Sequence, residues 1–97
     1  MAELDYSPEA SADIEGIAAF SVERFGNEAA DAYLTGLEIA CERLRDIPEM
    51  AAIYPRIHPK IRCLIYRSHR IFYRYEAGTV LIVRILHQAR DVKRAMN

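Results

Sequence analysis

The stretch HRIFYRYEAGTVLIVRILH, residues 69–87, decides the architecture. It is rich in Ile, Val, Tyr and Phe, side chains that fit a pleated, half-buried surface. Two such runs, His69 to Tyr75 and Thr79 to His87, flank Glu76-Ala77-Gly78, which reads as a three-residue hairpin loop with glycine at the left-handed position. Lys60 to Tyr66 has the same composition and supplies a third strand. Alternation along the three separates two faces. One face holds Ile61, Cys63, Ile65, Ile71, Tyr73, Tyr75, Leu81, Val83 and Ile85, nearly all apolar, and is expected to pack on helices. The other holds Arg62, Leu64, Tyr66, Arg70, Phe72, Arg74, Val80, Ile82, Arg84 and Leu86. Arginines mixed with large apolar groups make a poor water-facing sheet surface, so this face is expected to be covered by the chain's own tail or by another molecule. The two sets share faces only if the connection between the last two strands has an odd number of residues.

Outward from this sheet, Glu3 to Tyr6 reads as a short strand. Ser7-Pro8-Glu9 opens a helix with Ser7 as cap and Pro8 in the first turn, running to about Phe25. Ala10, Ile14, Ile17, Ala18, Ser21 and Phe25 recur at three- and four-residue steps as one buried stripe, and Gly26 closes the helix. Asn27 is expected to cap a second helix ending before Pro48, with the stripe Ala30, Tyr33, Leu34, Leu37, Ala40, Cys41, Leu44 and Ile47. So short a connection folds the helices back as a hairpin. Gly16 and Gly36 lie inside them and read as tolerated surface glycines more than as docking points. Glu49 to Pro59 is expected to be a loop, and Asp91 to Met96 one capped helical turn. The predicted class is α+β, in the order β-α-α-β-β-β, with the helices on one face of a three-stranded antiparallel sheet.

At 97 residues the chain is expected to form a single domain, residues 1–97. No stretch approaches the ~20 apolar residues of a membrane span, and the N-terminus lacks the pattern of a signal peptide, so a cytoplasmic protein with no membrane partner is expected. Cys41 and Cys63 sit within apolar patterns and read as small buried thiols. The net charge of −1 hides an asymmetry: residues 1–52 carry 3 basic and 12 acidic side chains, residues 53–97 carry 10 and 2. A balance of −9 against +8 implies a basic face able to hold an acidic partner, or else a fold whose halves neutralise each other.

Several chemistries lack their residues. His58, His69 and His87 share no ligand spacing and have no carboxylate pair beside them, so neither a metal nor a cofactor is expected. Serine-nucleophile and phosphate-loop patterns are missing. Both long helices are acidic, which argues against direct DNA binding by this chain.

The element order, together with Tyr6-Ser7-Pro8, Asp13-Ile14, Arg24-Phe25-Gly26, Ala32-Tyr33-Leu34, His69 to Arg74, and Val80 to His87 followed by Gln88-Ala89-Arg90-Asp91, closely resembles the ParE branch of the RelE/ParE toxins over nearly the whole chain. The resemblance implies a toxin of a type II toxin–antitoxin system, neutralised by a ParD-like antitoxin, contacting DNA only through it, and inhibiting DNA gyrase by direct binding without a reaction of its own. Arg62, Leu64, Arg70, Phe72, Arg74, Ile82, Arg84 and Leu86 are the candidates for the antitoxin face, since a disordered acidic-hydrophobic segment gains both apolar burial and charge-assisted contacts there. His87, Arg90, Lys93 and Arg94 are the candidates for target contact. Two alternatives stand beside this reading. One is a RelE-like messenger RNA endoribonuclease using His87, Arg62 and Arg84, although Gln88 and Ala89 depart from the residues the RNA-cutting branches place there. The other is a non-toxic member acting as co-repressor with its antitoxin.

Overall fold

The computed structural model describes residues 1–55, 57 and 60–96, with Lys93 described by its backbone alone. Strand β1 is Glu3–Tyr6, helix α1 Pro8–Phe25 and helix α2 Asn27–Arg43. Strands β2 (Ile53–Tyr54), β3 (Ile61–Tyr66), β4 (His69–Glu76) and β5 (Thr79–His87) follow, then helix α3 (Val92–Met96). The Ser7 hydroxyl caps α1, accepting from Ala10 N at 2.9 Å. Gly26, with φ 88°, ends α1 and also begins α2, whose first turn carries no side-chain cap, so Asn27 does not play the capping role expected of it. Helix α2 ends at Arg43, and Phe25 and Ile47, expected in the buried stripes, are exposed.

The sheet has five strands in the order β1-β5-β4-β3-β2 rather than three antiparallel ones. β1 lies parallel to β5, an arrangement that needs the intervening chain to cross over and that no strand-by-strand pattern announces. β2 adds two residues from within the segment expected to be a loop. His58, Pro59 and Arg56 of that segment lie outside the described residues.

Register corrects the assignment of faces. Glu76 pairs with Thr79, so the hairpin loop is the two residues Ala77-Gly78, with φ 49° and 78°, the left-handed pair that matches strand twist. An even loop sets odd residues of β4 opposite even residues of β5, so Val80 and Ile82, not Leu81 and Val83, join Ile71 and Tyr73 under the helices. Between Phe72↔Arg84 and Tyr73↔Ile82 the extra residue Val83 makes a bulge, and the parity reverses, returning Ile85 to the helix side. Tyr66 pairs with His69 around the two-residue turn Arg67-Ser68, which likewise places Leu64 and Tyr66 on the helix side and Ile61, Cys63 and Ile65 on the other.

The core between helices and sheet therefore comprises Leu37, Cys41, Leu44, Ile71, Tyr73, Val80, Ile82 and Ile85, with Leu64 and Tyr66 packed against it. On the opposite face Ile61, Phe72 and Leu86 are covered by Val92, Ala95 and Met96 of α3 and by Tyr54 and Ile57. The tail covers part of that face, as its apolar content requires.

Beyond Ile82, β5 has no strand on the edge that β1 covers earlier, and α1 serves there in its place. Ser7 donates to Val83 O at 2.7 Å, and Asp13 accepts from Ile85 N at 2.9 Å. The same carboxylate takes Nε and Nη2 of Arg84 at 2.8 and 2.9 Å. Backbone groups on the edge that β1 leaves open are thus satisfied by side chains. At the other end, Arg62 donates to Ala51 O at 2.7 Å and the Tyr73 hydroxyl to Pro48 O at 2.8 Å, fastening the segment after α2 to the sheet.

Candidate functional site

The two histidines of the central hairpin, unrelated by spacing in sequence, are brought together by register. His69 opens β4, His87 closes β5, and they are a cross-strand pair with ring centroids 5.5 Å apart, nearly perpendicular. The Gln88 N–H, donating to Ser68 O at 2.9 Å, closes that end of the sheet. Tyr33 of α2 stands over the pair: its hydroxyl and His69 Nδ1 are 2.7 Å apart, and its ring meets that of Tyr66 edge-on at 5.3 Å. Tyr66 reaches this place because α2 carries Gly36 beside it, where a Cβ would overlap the Tyr66 hydroxyl. Gly36 is therefore a packing requirement and not a tolerated surface glycine, whereas Gly16 faces open space.

Two grooves meet at the histidines. One, of about 400 Å³, is lined by Asp13, Gly16, Ile17, Phe20, Ile85, Leu86 and Arg90 with both histidines. The other, of about 330 Å³, is lined by Phe20, Phe25, Tyr33 and Ser68 with the same pair. Phe20 is 60% exposed, and the Arg24 guanidinium lies 5.9 Å from its ring centroid, within cation–π reach. Asp13 is the carboxylate on the first groove, and its charge is matched by Arg84.

The protonation pattern follows from the partners. Burial pushes the Tyr33 phenol up while hydrogen bonds from Ser68 act the other way, and with its oxygen met by Ser68 the Tyr33 O–H is assigned as the donor to His69 Nδ1. His87 Nδ1 accepts from Ala89 N at 3.1 Å. With Nδ1 occupied as acceptor in each ring, the neutral form of each carries its proton on Nε2, an assignment made from hydrogen-bond partners. Burial, and then the neighbouring His87, push His69 below its ordinary pKa, which favours that neutral form.

The residues expected at an antitoxin face are divided by the fold. Leu64 and Ile82 lie on the helix side, in or against the core. Phe72 and Leu86 are on the outer face but buried beneath α3. Arg62 is fastened to the segment after α2, and Arg84 is held by Asp13 and by Ala95 O. Arg70 and Arg74 remain part-exposed on the outer face beside Ile65, 67% exposed, with Arg74 paired to Glu76. The trio His87, Arg62 and Arg84 is not assembled. Arg62 pairs across from Tyr73, four residues along β4 from His69, a separation of about 13 Å. Arg84 and His87 are on opposite faces of β5. Of the target candidates His87, Arg90 and Arg94 are exposed, while the Lys93 side chain lies outside the described residues. What the sequence reading missed was His69, and the only signal available was its register with His87. No group of three metal-ligating side chains occurs among the described residues.

Of the ion pairs among the described residues, only Arg84–Asp13 and Arg62–Glu49 join the acidic first half to the basic second half. The charge asymmetry is left largely unneutralised within the chain.

A helix hairpin on one face of a mixed five-stranded sheet, a terminal helix on the other and an unneutralised basic half define a small α+β fold. The same fold occurs in the solved structure described as "Chromosomal ParDE TA system from P. aeruginosa", which matches with a TM-score of 0.78 over 90% of this chain and 96% of that one, at 24% identity. Among curated relatives, "Toxin ParE1" of Mycobacterium tuberculosis is 38% identical over 89 residues, 91% of each chain. "Toxin ParE1" of Caulobacter vibrioides is 31% identical over 87 residues, 90% of each. Residues 4–92 match the family described as "ParE toxin of type II toxin-antitoxin system, parDE", and the chain belongs to that family.

Proposed function

We propose that this toxin, one domain spanning residues 1–97 and working in the cytoplasm, is neutralised by a ParD-like antitoxin and arrests growth by binding DNA gyrase. The observation that carries the non-enzymatic part is the state of the histidines. Cleavage of RNA by its 2′-hydroxyl needs a basic nitrogen to take the proton, and both rings here direct their lone-pair nitrogen, Nδ1, at a protein donor. The arginines named for phosphate stabilisation are committed elsewhere, Arg62 to a backbone carbonyl and Arg84 to Asp13.

The part-exposed strip Arg70, Arg74 and Ile65 on the outer sheet face suits an acidic-apolar antitoxin segment, which would order upon it. Exposed Arg90, in the turn before the terminal helix, and exposed Arg94, within it, suit target contact. Contact with DNA would be indirect, through the antitoxin.

The deciding experiment pairs a supercoiling assay on purified gyrase with an RNA-cleavage assay on translating ribosomes. Loss of supercoiling that the antitoxin reverses is the expected result. Cleaved messenger with gyrase untouched would replace this reading with the nuclease one, and a toxin inert in both assays that still represses its operator with the antitoxin would replace it with the co-repressor one.

A further inference from the structure

We propose that the groove bounded by Gly16, Phe20, His69, His87 and Arg90 is a binding site for a nucleoside phosphate, with the phosphoryl group held by the two imidazole Nε2–H groups and the Arg90 guanidinium. Both Nδ1 atoms are occupied, His69 by the Tyr33 hydroxyl and His87 by Ala89 N, so Nε2–H is what each ring has left to offer a ligand. Arg90 lines the same groove, is exposed, and makes no ion pair among the described residues. Two imidazole N–H donors and one permanent cation form a receptor for an oxyanion.

The pattern speaks against the other ligand a histidine pair suggests. A metal bound at Nε2 requires a lone pair there and a proton on Nδ1, the reverse of what the Tyr33 and Ala89 donors impose. The groove's carboxylate, Asp13, is held in two hydrogen bonds by Arg84, which offsets its repulsion of an anion.

The remaining lining supplies the rest of the ligand. Phe20 is exposed at the boundary of both grooves and Arg24 stands over its ring, a platform on which a base stacks with a second cation close by. Gly16 leaves the wall open: a Cβ there meets nothing within 4 Å. About 400 Å³ lies within the range of small-ligand sites.

The test uses the full-length toxin, labelled with ¹⁵N at histidine and titrated with adenosine 5′-monophosphate, adenosine, inorganic phosphate and acetate. Before ligand, the spectra should show Nε2-protonated tautomers for His69 and His87. The nucleotide should then shift both Nε2 signals saturably and bind at least about tenfold tighter than adenosine, the loss expected for removing charge-assisted hydrogen bonds. Phosphate should shift the same signals more weakly and acetate least. R90Q should weaken the nucleotide by about tenfold, and G16L, which fills the groove while favouring helix, should abolish binding with the melting temperature held or raised. Nδ1-protonated rings, equal affinity for adenosine and its monophosphate, acetate matching phosphate, or unchanged binding by G16L would each overturn the assignment. None of these outcomes bears on gyrase or on the antitoxin.

Discussion

Replacing Asp13 by alanine should destabilise this toxin severely although the change removes only one polar side chain at the edge of the core. Its carboxylate accepts from Arg84 Nε, Arg84 Nη2 and Ile85 N, all within 2.9 Å. The side chains of Arg84 and Asp13 are only 18% and 13% exposed. Removing one partner of such a pair leaves a largely desolvated guanidinium and a bare backbone N–H; fully buried pairs lose about 3–5 kcal/mol in this way. Residual water access lowers the expectation to about 3 kcal/mol, a large share of the ~5–15 kcal/mol that domains of this kind possess. For a chain of this length that corresponds to a fall of about 12–24 °C in Tm. D13N keeps an acceptor for Ile85 N and should lose roughly half as much. R84M leaves the Asp13–Ile85 bond in place, so a D13A, R84M and double-variant cycle measured by urea denaturation should return a coupling of about 1–3 kcal/mol. If D13A costs under about 1 kcal/mol, or the coupling is under about 0.5 kcal/mol, the claim that this carboxylate stands in for a missing neighbouring strand is wrong.

The two helical glycines should respond in opposite directions. G16A meets open space and should stabilise by about 0.5–1 kcal/mol, whereas G36A collides with the Tyr66 hydroxyl and should destabilise by about 1–3 kcal/mol, partly recovered in G36A/Y66F; equal effects from the two would contradict the packing described. His69 supplies a pH dependence. Its folded-state pKa lies below 6.5, chiefly through burial and then through His87, so the unfolded chain takes up the proton more readily. The stability due to neutral His69 is therefore complete above pH 6.5 and lost as the pH falls below it towards the lowered folded-state value. Urea midpoints should drop more steeply on acidification for the unmodified chain than for H69Q, and parallel curves would exclude the linkage.

Much of this molecule could be read from local pattern because local physics sets it. Ser7-Pro8 starts α1 as a capped, proline-led turn must, Gly26 stops it at a positive φ that other residues resist, and a run such as residues 79–87 has no stable alternative to a strand. The charge asymmetry is a property of composition and survives folding because few of its members pair with each other. Family membership was legible for a related reason: the motifs that carry it are the capped helix start and the hairpin strands.

What pattern did not supply was parity. A strand's side chains alternate with period two, so one residue more or less in a turn, or one bulge, exchanges its faces. Ala77-Gly78 in place of a three-residue loop, with Val83 as the extra residue, moved Val80 and Ile82 inward and Leu81 and Val83 outward, and the two-residue turn Arg67-Ser68 moved Leu64 inward. The parallel pairing of β1 with β5 and the closing of the β5 edge by Ser7 and Asp13 join residues more than 70 positions apart, where no local preference operates. The same register set His69 beside His87, and Tyr33 of a different element supplies the partner of His69 Nδ1. Residue types and element order follow from the chain's own neighbours in sequence; the meeting of side chains into a site depends on long-range register, which exists only once the sheet has formed.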